Sequence, residues 1–299
     1  MGAWPCSATA WYADAMAACY LCISIDLELA WGIWDKPNPD YHARCAERER
    51  KIVARLIEIF ETYEVAATWA IVGRLLERDP AHDQPIWYAP DLIEQIRAAR
   101  IAQDIGSHSY AHVYFGETDR ERLRADLAAA RRVHDEHKLP FVSFVFPRNQ
   151  VAHLDLLREA GIRVFRSVDQ GWHIEVRDRL GKTAGRLANL ADKVLPVPPA
   201  TVHPITHDGL VELPSSMLLL GRNGLRRAVH PSALAAKAML GLERARRAGG
   251  IFHLWFHPSN FYYDTDRQLD TLERIVRRAC TLRDRGQLAI QPMNEFAAA

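Results

Sequence analysis

The sequence has few of the features that mark membrane, disulfide-rich or nucleic-acid-binding proteins. Only five cysteines are spread over 299 residues, too few for a disulfide scaffold. Lysine and arginine (38) nearly balance aspartate and glutamate (37), so the basic excess typical of nucleic-acid-binding proteins is missing. No run reaches the roughly 18 uninterrupted apolar residues that a membrane span needs. We therefore expect a globular protein with no nucleic-acid partner and no integral membrane span.

The N-terminal segment is alanine-rich but lacks the pattern of a secretion signal. No lysine or arginine precedes its apolar stretch, Asp14 interrupts it, and it leads directly into a strand-like run. We interpret residues 1–18 as an N-terminal extension and residues 19–299 as a single domain. The sparse cysteines and the missing signal pattern predict a cytoplasmic location.

Short apolar runs alternate along the chain with longer segments of helical periodicity. One helix is predicted from a capping box at Thr118 and Glu121 to about His137. Such alternation implies parallel strands joined by crossover helices. About seven or eight units in this length favour a distorted (β/α) barrel in the α/β class, with an irregular insert at 170–208. A doubly wound open sheet is the structural alternative. The strand-like runs are 20–25, 66–72, 103–109, 141–146, 162–166, 209–214, 251–257 and 287–292.

Polar side chains follow several predicted strands at the point where each strand ends, which is where parallel α/β folds carry their active sites. Asp26 and Glu28 are two residues apart, so on a strand both carboxylates face the same way. Together they can supply a metal ligand and a general base. His108 and His112, four residues apart, would lie on one face of a helical turn and bind one divalent ion.

Two later strand ends carry further candidates. The run at 141–146 ends at a proline that is followed by Arg148, which could orient a carboxylate through two hydrogen bonds. Strand alternation places His253, Trp255 and His257 on one face, with His257 at the strand end. Histidine is suited to general acid catalysis near neutral pH. We interpret His253 as a core residue with satisfied hydrogen bonds.

The order of these elements resembles the NodB-homology polysaccharide deacetylase family (carbohydrate esterase family four). The similarity spans about residues 20–295 and implies a distorted (β/α) barrel that catalyses metal-dependent deacetylation. The His-Ser-x-x-His segment is its most specific motif, and Pro-Arg-Asn is its poorest match. The segments that correspond to family motifs, in order, are Ser24-Ile25-Asp26-Leu27-Glu28, His108-Ser109-Tyr110-Ala111-His112, Pro147-Arg148-Asn149, the run from Arg166 through Asp169 to Trp172, and Leu254-Trp255-Phe256-His257.

The resemblance implies a role for each matching residue. Glu28, His108 and His112 would bind one divalent metal ion. Zinc suits two imidazoles and a carboxylate, and cobalt, nickel and manganese are alternatives. Asp26 would be the catalytic base and His257 the general acid, although the roles of the two acidic residues can also be exchanged.

Further residues would support this centre. The resemblance implies that Asp169 orients His257 and that Arg148 pairs with Asp26. Asn149, in the third motif, is a candidate substrate contact. Four tryptophans fall near predicted strand ends and could stack on a sugar ring; we expect one or two of them in the site. These are Trp31, Trp34, Trp69 and Trp172.

The predicted function is metal-dependent hydrolysis of an amide C–N bond in a small-molecule or oligosaccharide N-acyl substrate. An N-acetylated amino sugar or a sugar-containing precursor fits best. The first motif departs from Asp-Asp and the third from Arg-x-Pro-Tyr, so two alternatives stay open. One is a deformylase or a hydrolase of a small non-sugar amide or ureide. The other is a catalytically degenerate glycan-binding barrel. The sequence is also compatible with a homo-oligomer.

Overall fold

The computed structural model describes residues 19–33, 39–82, 84–181, 183–185, 188, 191–192, 195, 197–222 and 224–298. The predicted extension at 1–18 lies outside these residues, as does part of the predicted insert at 170–208.

Ten strands of the described chain form one sheet, in the order β6-β7-β5-β4-β3-β2-β1-β9-β8, with β10 also paired to β1. All neighbouring strands run parallel except β6 and β7, which form an antiparallel hairpin. The strands are β1 (Cys19–Leu27), β2 (Thr68–Ile71), β3 (Asp104–Ser107), β4 (Ser143–Val145), β5 (Val164–Asp169), β6 (Ile205–His207), β7 (Leu210–Ser215), β8 (Met217–Leu218), β9 (Gly250–Phe256) and β10 (Ala289–Ile290).

Helices connect the parallel strands, as the alternation of patterns predicts. None of the helices in the described part of the chain has both the length and the apolar character that crossing a bilayer requires. The α-helices whose bounds lie within the described residues are α1 (Pro39–Tyr63), α2 (Pro90–Arg97), α3 (Arg120–Glu136), α4 (Leu154–Glu159), α5 (Trp172–Leu180), α6 (Pro231–Ala248) and α7 (Thr265–Arg283).

A single residue, Ser216, links the two ends of the parallel set. β7 pairs with β5 and ends at Ser215, whereas β8 pairs with β9 and begins at Met217. The backbone N–H of Ser216 donates to the carbonyl of His253 (2.9 Å), and the Ser216 hydroxyl accepts from the His253 N–H (3.0 Å). The strands therefore curve around a common interior, and the predicted distorted (β/α) barrel is confirmed.

Side chains alternate between the interior of the barrel and the surrounding helices. On β1, Ile23 and Ile25 belong to the apolar cluster shared with the helices, whereas Cys22 packs in the barrel interior beside Ala70 and Val145. The same alternation turns Asp26 inward. The strand therefore carries a carboxylate into the interior, close to its C-terminal end.

Two local details differ from the sequence predictions. The cap of α3 is Asp119, whose carboxylate accepts from the backbone N–H of Arg122, and not the predicted Thr118. The irregular region expected at 170–208 also ends in the β6–β7 hairpin. Its turn residues Asp208 and Gly209 both have positive φ, at 47° and 85°. An Asp-Gly pair is a strong hairpin signal, because both positions of this turn need that conformation.

Candidate active site

The register of three neighbouring strands brings their ends to one level. Leu27 at the end of β1 pairs with Ile71 at the end of β2, and Ile71 pairs with Ser107 at the end of β3. The next residues along β1 and β3 are Glu28 and His108. Strand pairing alone therefore places the Glu28 carboxylate and the His108 imidazole at the same edge of the barrel.

Glu28, His108 and His112 converge on one point. The Glu28 Oε2 atom lies 3.0 Å from His112 Nε2 and 3.4 Å from His108 Nε2. One ligand atom from each of the three residues lies within 4.8 Å of the other two. The Nδ1–H of His108 donates to the carbonyl of Val145 (2.8 Å), which leaves Nε2 directed at the carboxylate. Such a second contact commonly orients histidines that bind metals.

The two histidines are brought together by a loop and not by the helical turn that their spacing predicts. Ser109 and His112 both have left-handed backbones, with φ of 63° and 53°. The imidazole rings nevertheless lie 5.0 Å apart, measured between centroids. The backbone N–H groups of Tyr110 and Ala111 both donate to the Asp126 carboxylate on α3, each at 2.9 Å. The prediction of a helical turn between His108 and His112 was therefore wrong, although the two rings do share one site.

Residue 32 has to be glycine for Glu28 to adopt its position. Gly32 lies in a short 3-10 helix (Leu29–Ile33) directly after β1. A methyl group at this position would overlap the Glu28 carboxyl group. The carboxylate therefore packs against the backbone of the segment that follows it.

Asp26 pairs with Arg166 of β5 and not with the predicted Arg148. Arg166 donates to both carboxylate oxygens, at 2.6 and 2.7 Å, and its side chain is fully buried. Burial alone would raise the pKa of Asp26, but the adjacent guanidinium outweighs it and holds that pKa below its usual value. Arg148 is exposed instead, and its guanidinium lies 4.5 Å from the centre of the Tyr114 ring.

Arg166 is held from several sides. It also donates to the Ser24 hydroxyl (3.1 Å) and to the side-chain oxygen of Asn149 (3.2 Å), and its guanidinium lies 4.3 Å from the centre of the Trp255 ring. Asn149, predicted as a substrate contact, thus has a structural partner in Arg166. These contacts fix the guanidinium opposite Asp26.

His257 lies on the other side of the two acidic residues. Its Nε2 atom is 3.6 Å from Asp26 Oδ2 and 3.5 Å from Glu28 Oε1. It is 24% exposed, against 4% for Asp26, so it is the more accessible of the two groups. A single imidazole therefore faces both carboxylates from the solvent side of the site.

Asp169 was predicted to orient His257, but it contacts the neighbouring tryptophan instead. Its Oδ1 atom accepts from the indole N–H of Trp255 (2.7 Å) and from the Ser215 hydroxyl (2.6 Å). The rings of Trp255 and His257 lie 5.7 Å apart. The carboxylate of Asp169 therefore holds the ring that contacts both Arg166 and His257.

His253 is a core residue, as the sequence indicated. Its Nδ1–H donates to the carbonyl of Pro214 (3.1 Å), and its Nε2 accepts from the Ser24 hydroxyl (2.9 Å). Burial, with Arg166 nearby, lowers the pKa of His253 to about 3. The ring is thus neutral and fully hydrogen-bonded beneath the Arg166–Asp26 pair.

The predicted tryptophans do not line the site as a group. Trp69 is fully buried against the helices and donates to Gln103 (3.2 Å), because alternation turns its neighbour Ala70 inward. Trp31 is 7% exposed, and its N–H donates to the carbonyl of Trp87 (2.9 Å). Trp34 and the side chain of Trp172 lie outside the described residues. Among the described residues, the Trp255 ring contacts Arg166, and the Tyr114 ring lies 5.8 Å from that of His112.

Two residues of the site carry no role in the sequence analysis. Arg166 appears there only as the first residue of a motif, although a charge inside the apolar strand run 162–166 is unusual and needs a buried partner. Asp126 lies on the buried face of an amphipathic helix, 6% exposed, which is equally unusual for a carboxylate. Charged residues at core positions were the available signal in both cases.

Comparison with known proteins supports the resemblance to polysaccharide deacetylases. The family model for polysaccharide deacetylases matches residues 44–165. This match, which covers less than half of the chain, supports membership of the NodB-homology polysaccharide deacetylase family and deacetylation as the general class of reaction. A search of curated proteins found no match.

Solved structures similar to this chain share its fold. A candidate polysaccharide deacetylase from Mycobacterium smegmatis has 18% identity and a TM-score of 0.64, and the alignment covers 99% of this chain and 92% of that one. PuuE allantoinase has 12% identity over 94% and 90% of the two chains, with a TM-score of 0.63. A CE4 family pseudoenzyme from Bacillus anthracis has 14% identity over 94% and 66%, with a TM-score of 0.50. At these identities the likeness concerns the fold alone.

Proposed function

We propose that the protein is a metal-dependent hydrolase that removes the acetyl group from an N-acetylated amino sugar or a sugar-containing precursor. The observation that carries this proposal is the convergence of Glu28, His108 and His112 beside an Arg166-paired Asp26, with His257 opposite. Amide hydrolysis needs groups that activate water, polarise the carbonyl and protonate the leaving nitrogen. Each of these needs has a candidate here.

The three converging side chains suit a divalent ion. Two imidazole nitrogens and a carboxylate oxygen form the donor set of many catalytic zinc sites. The Val145 contact of His108 gives the tautomer whose Nε2 is free to act as a donor. A divalent ion in this site would polarise the amide carbonyl and lower the pKa of a water molecule to about 7 in favourable cases. Zinc is the metal that we propose, with cobalt, nickel and manganese as alternatives.

The proton transfers would fall to Asp26 and His257. Arg166 lowers the pKa of Asp26, so the carboxylate is ionised at neutral pH and free to accept the proton of the attacking water. His257 lies across the site and is the more exposed group, so its Nε2–H can reach the nitrogen of the scissile amide. Two titratable groups with opposite protonation states, on opposite sides of the substrate, are what this reaction requires.

The proposal can be tested by metal content and by acetate release. Purified protein should contain about one equivalent of a divalent ion, measured by plasma mass spectrometry. It should also release acetate from N-acetylglucosamine oligomers. The double variant His108→Ala/His112→Ala should lose both the metal and the activity. A matched control, His137→Ala/His203→Ala, removes two histidines outside the site and should retain both.

Other outcomes would change the assignment. Full metal retention in the His108→Ala/His112→Ala variant would contradict the proposed ligands. Turnover of formamides or cyclic ureides without acetate release from amino sugars would favour the small-amide hydrolase. Sugar binding without turnover in metal-loaded protein would favour a degenerate glycan-binding barrel.

A further inference from the structure

A buried carboxylate on the helix behind the site holds the loop that carries both histidines. Asp126 lies in the middle of α3 and is 6% exposed. Its Oδ2 atom accepts from the N–H of Tyr110 and its Oδ1 atom from the N–H of Ala111, both at 2.9 Å. One carboxylate therefore satisfies two consecutive backbone donors that belong to no helix and no strand.

The loop depends on such an anchor because its backbone is unusual. Ser109 and His112, on either side of the anchored pair, adopt left-handed conformations that non-glycine residues rarely occupy without support. Within the loop, the Ser109 hydroxyl accepts from the N–H of Val113 (3.2 Å). The Asp126 carboxylate, in contrast, ties the loop to a separate element. The helix thus fixes the segment between the two imidazoles.

We infer that Asp126 is a positioning residue that sets the separation and orientation of His108 and His112, and with them the affinity of the metal site. The inference rests on the proposed function, because it assumes that these histidines bind a divalent ion. Asp126 itself contacts neither imidazole and would not touch the metal. It acts through the backbone, since two fixed N–H···O bonds leave the loop little freedom to change the distance between the rings.

The test is a metal titration without substrate. In Asp126→Asn, one acceptor becomes an NH₂ group that faces a backbone N–H, so one of the two bonds is lost. Competition with a chromophoric chelator should show Zn²⁺ and Co²⁺ binding weakened by about 10- to 100-fold, the usual effect of losing an outer contact of a metal site. The visible spectrum of bound Co²⁺ should change as well, because the two nitrogen ligands are no longer held in one geometry.

A control on the same helix separates positioning from general loss of stability. Asp119→Ala removes the N-cap of α3, whose carboxylate accepts from the Arg122 N–H (2.9 Å), and leaves the histidine loop untouched. This variant should unfold at a lower temperature but bind Zn²⁺ like the wild type. If both variants lose affinity in proportion to their loss of stability, Asp126 has only a structural role and the inference is overturned.

The remaining outcomes are also distinct. If wild-type protein binds no divalent ion, the proposed function fails. If wild-type protein binds Zn²⁺ and Asp126→Asn binds it equally well, the proposed function stands and the role of Asp126 is refuted. Should Asp126→Asn not fold, Asp126→Glu keeps the charge but displaces the carboxylate by one methylene. It should show a smaller loss of Zn²⁺ affinity in the same direction, and unchanged affinity would overturn the inference.

Discussion

The pairing of Arg166 with Asp26 makes a strong prediction about stability. Both side chains are buried, and they share two short charge-assisted hydrogen bonds. Arg166→Met keeps the bulk of the side chain in the barrel but leaves the Asp26 carboxylate without its counter-charge. We expect this change to lower the free energy of unfolding far more than a surface arginine substitution does.

The magnitude follows from burial. Removing one partner of a buried ion pair typically costs about 3–5 kcal/mol, because the other charge stays desolvated and unpaired. Asp26→Asn alone should also be costly, since Arg166 then lacks its partner. The double variant Asp26→Asn/Arg166→Met removes both charges and should be more stable than the sum of the two losses implies. We expect a coupling energy of about 2–3 kcal/mol between the two positions.

Urea unfolding at pH 7 of the wild type, both single variants and the double variant measures this coupling. The effect of Arg166→Met should shrink toward pH 4, because the unpaired Asp26 can then take a proton. The control cycle uses Arg158 and Asp208, an exposed pair at 3.4 Å whose side chains are 50% and 90% accessible. Its coupling should be at most about 0.5 kcal/mol. If the Asp26 and Arg166 losses simply add, the two charges do not support each other and the assignment of Arg166 is wrong.

Three further predictions concern the metal site and the pH dependence of stability. Gly32→Ala should weaken Zn²⁺ binding measured by chelator competition, because the new methyl group displaces the Glu28 carboxyl group; unchanged affinity would show that Glu28 is not a ligand. Wild-type protein at a zinc concentration 100 times its Kd should be about 2.7 kcal/mol more stable than chelator-treated protein, and identical melting curves would argue against a folded-state metal site. Burial lowers the pKa of His134 to about 4. Between about pH 6.5 and pH 4 the unfolded state therefore binds a proton that the folded state does not, and the free energy of unfolding decreases as the pH is lowered. This residue should account for about 2 kcal/mol of the stability lost between pH 7 and pH 5, and His134→Gln should remove that part in urea titrations.

The strand pattern and the residues at the strand ends could be predicted because both depend on local order. Side chains alternate along every strand, so the spacing of Asp26 and Glu28 and the shared face of His253, Trp255 and His257 follow from the sequence. Parallel strands also carry their C-terminal ends to one edge of the barrel. The approach of Glu28 to His108 is a consequence of that register.

The alternation also explains one prediction that failed. Trp69 was assigned to the site because it lies close to a strand end. Its neighbour Ala70 faces the barrel interior, so Trp69 must face the helices. The sequence contains this alternation, but which of the two faces is the interior depends on how the sheet curves. That choice belongs to the whole barrel and not to the strand.

The sequence by itself determined the strand–helix alternation and the candidate acids and histidines, because each rests on short-range periodicity or on a compact motif, and it favoured a barrel over an open sheet. Only the tertiary structure decided that Arg166, 140 residues from Asp26, is its partner, and that Asp126 supports the histidine loop. It also decided that the two histidines meet through a left-handed loop and not a helical turn. Such contacts join elements far apart in the chain, and they depend on the packing of helices and strands that no local pattern encodes.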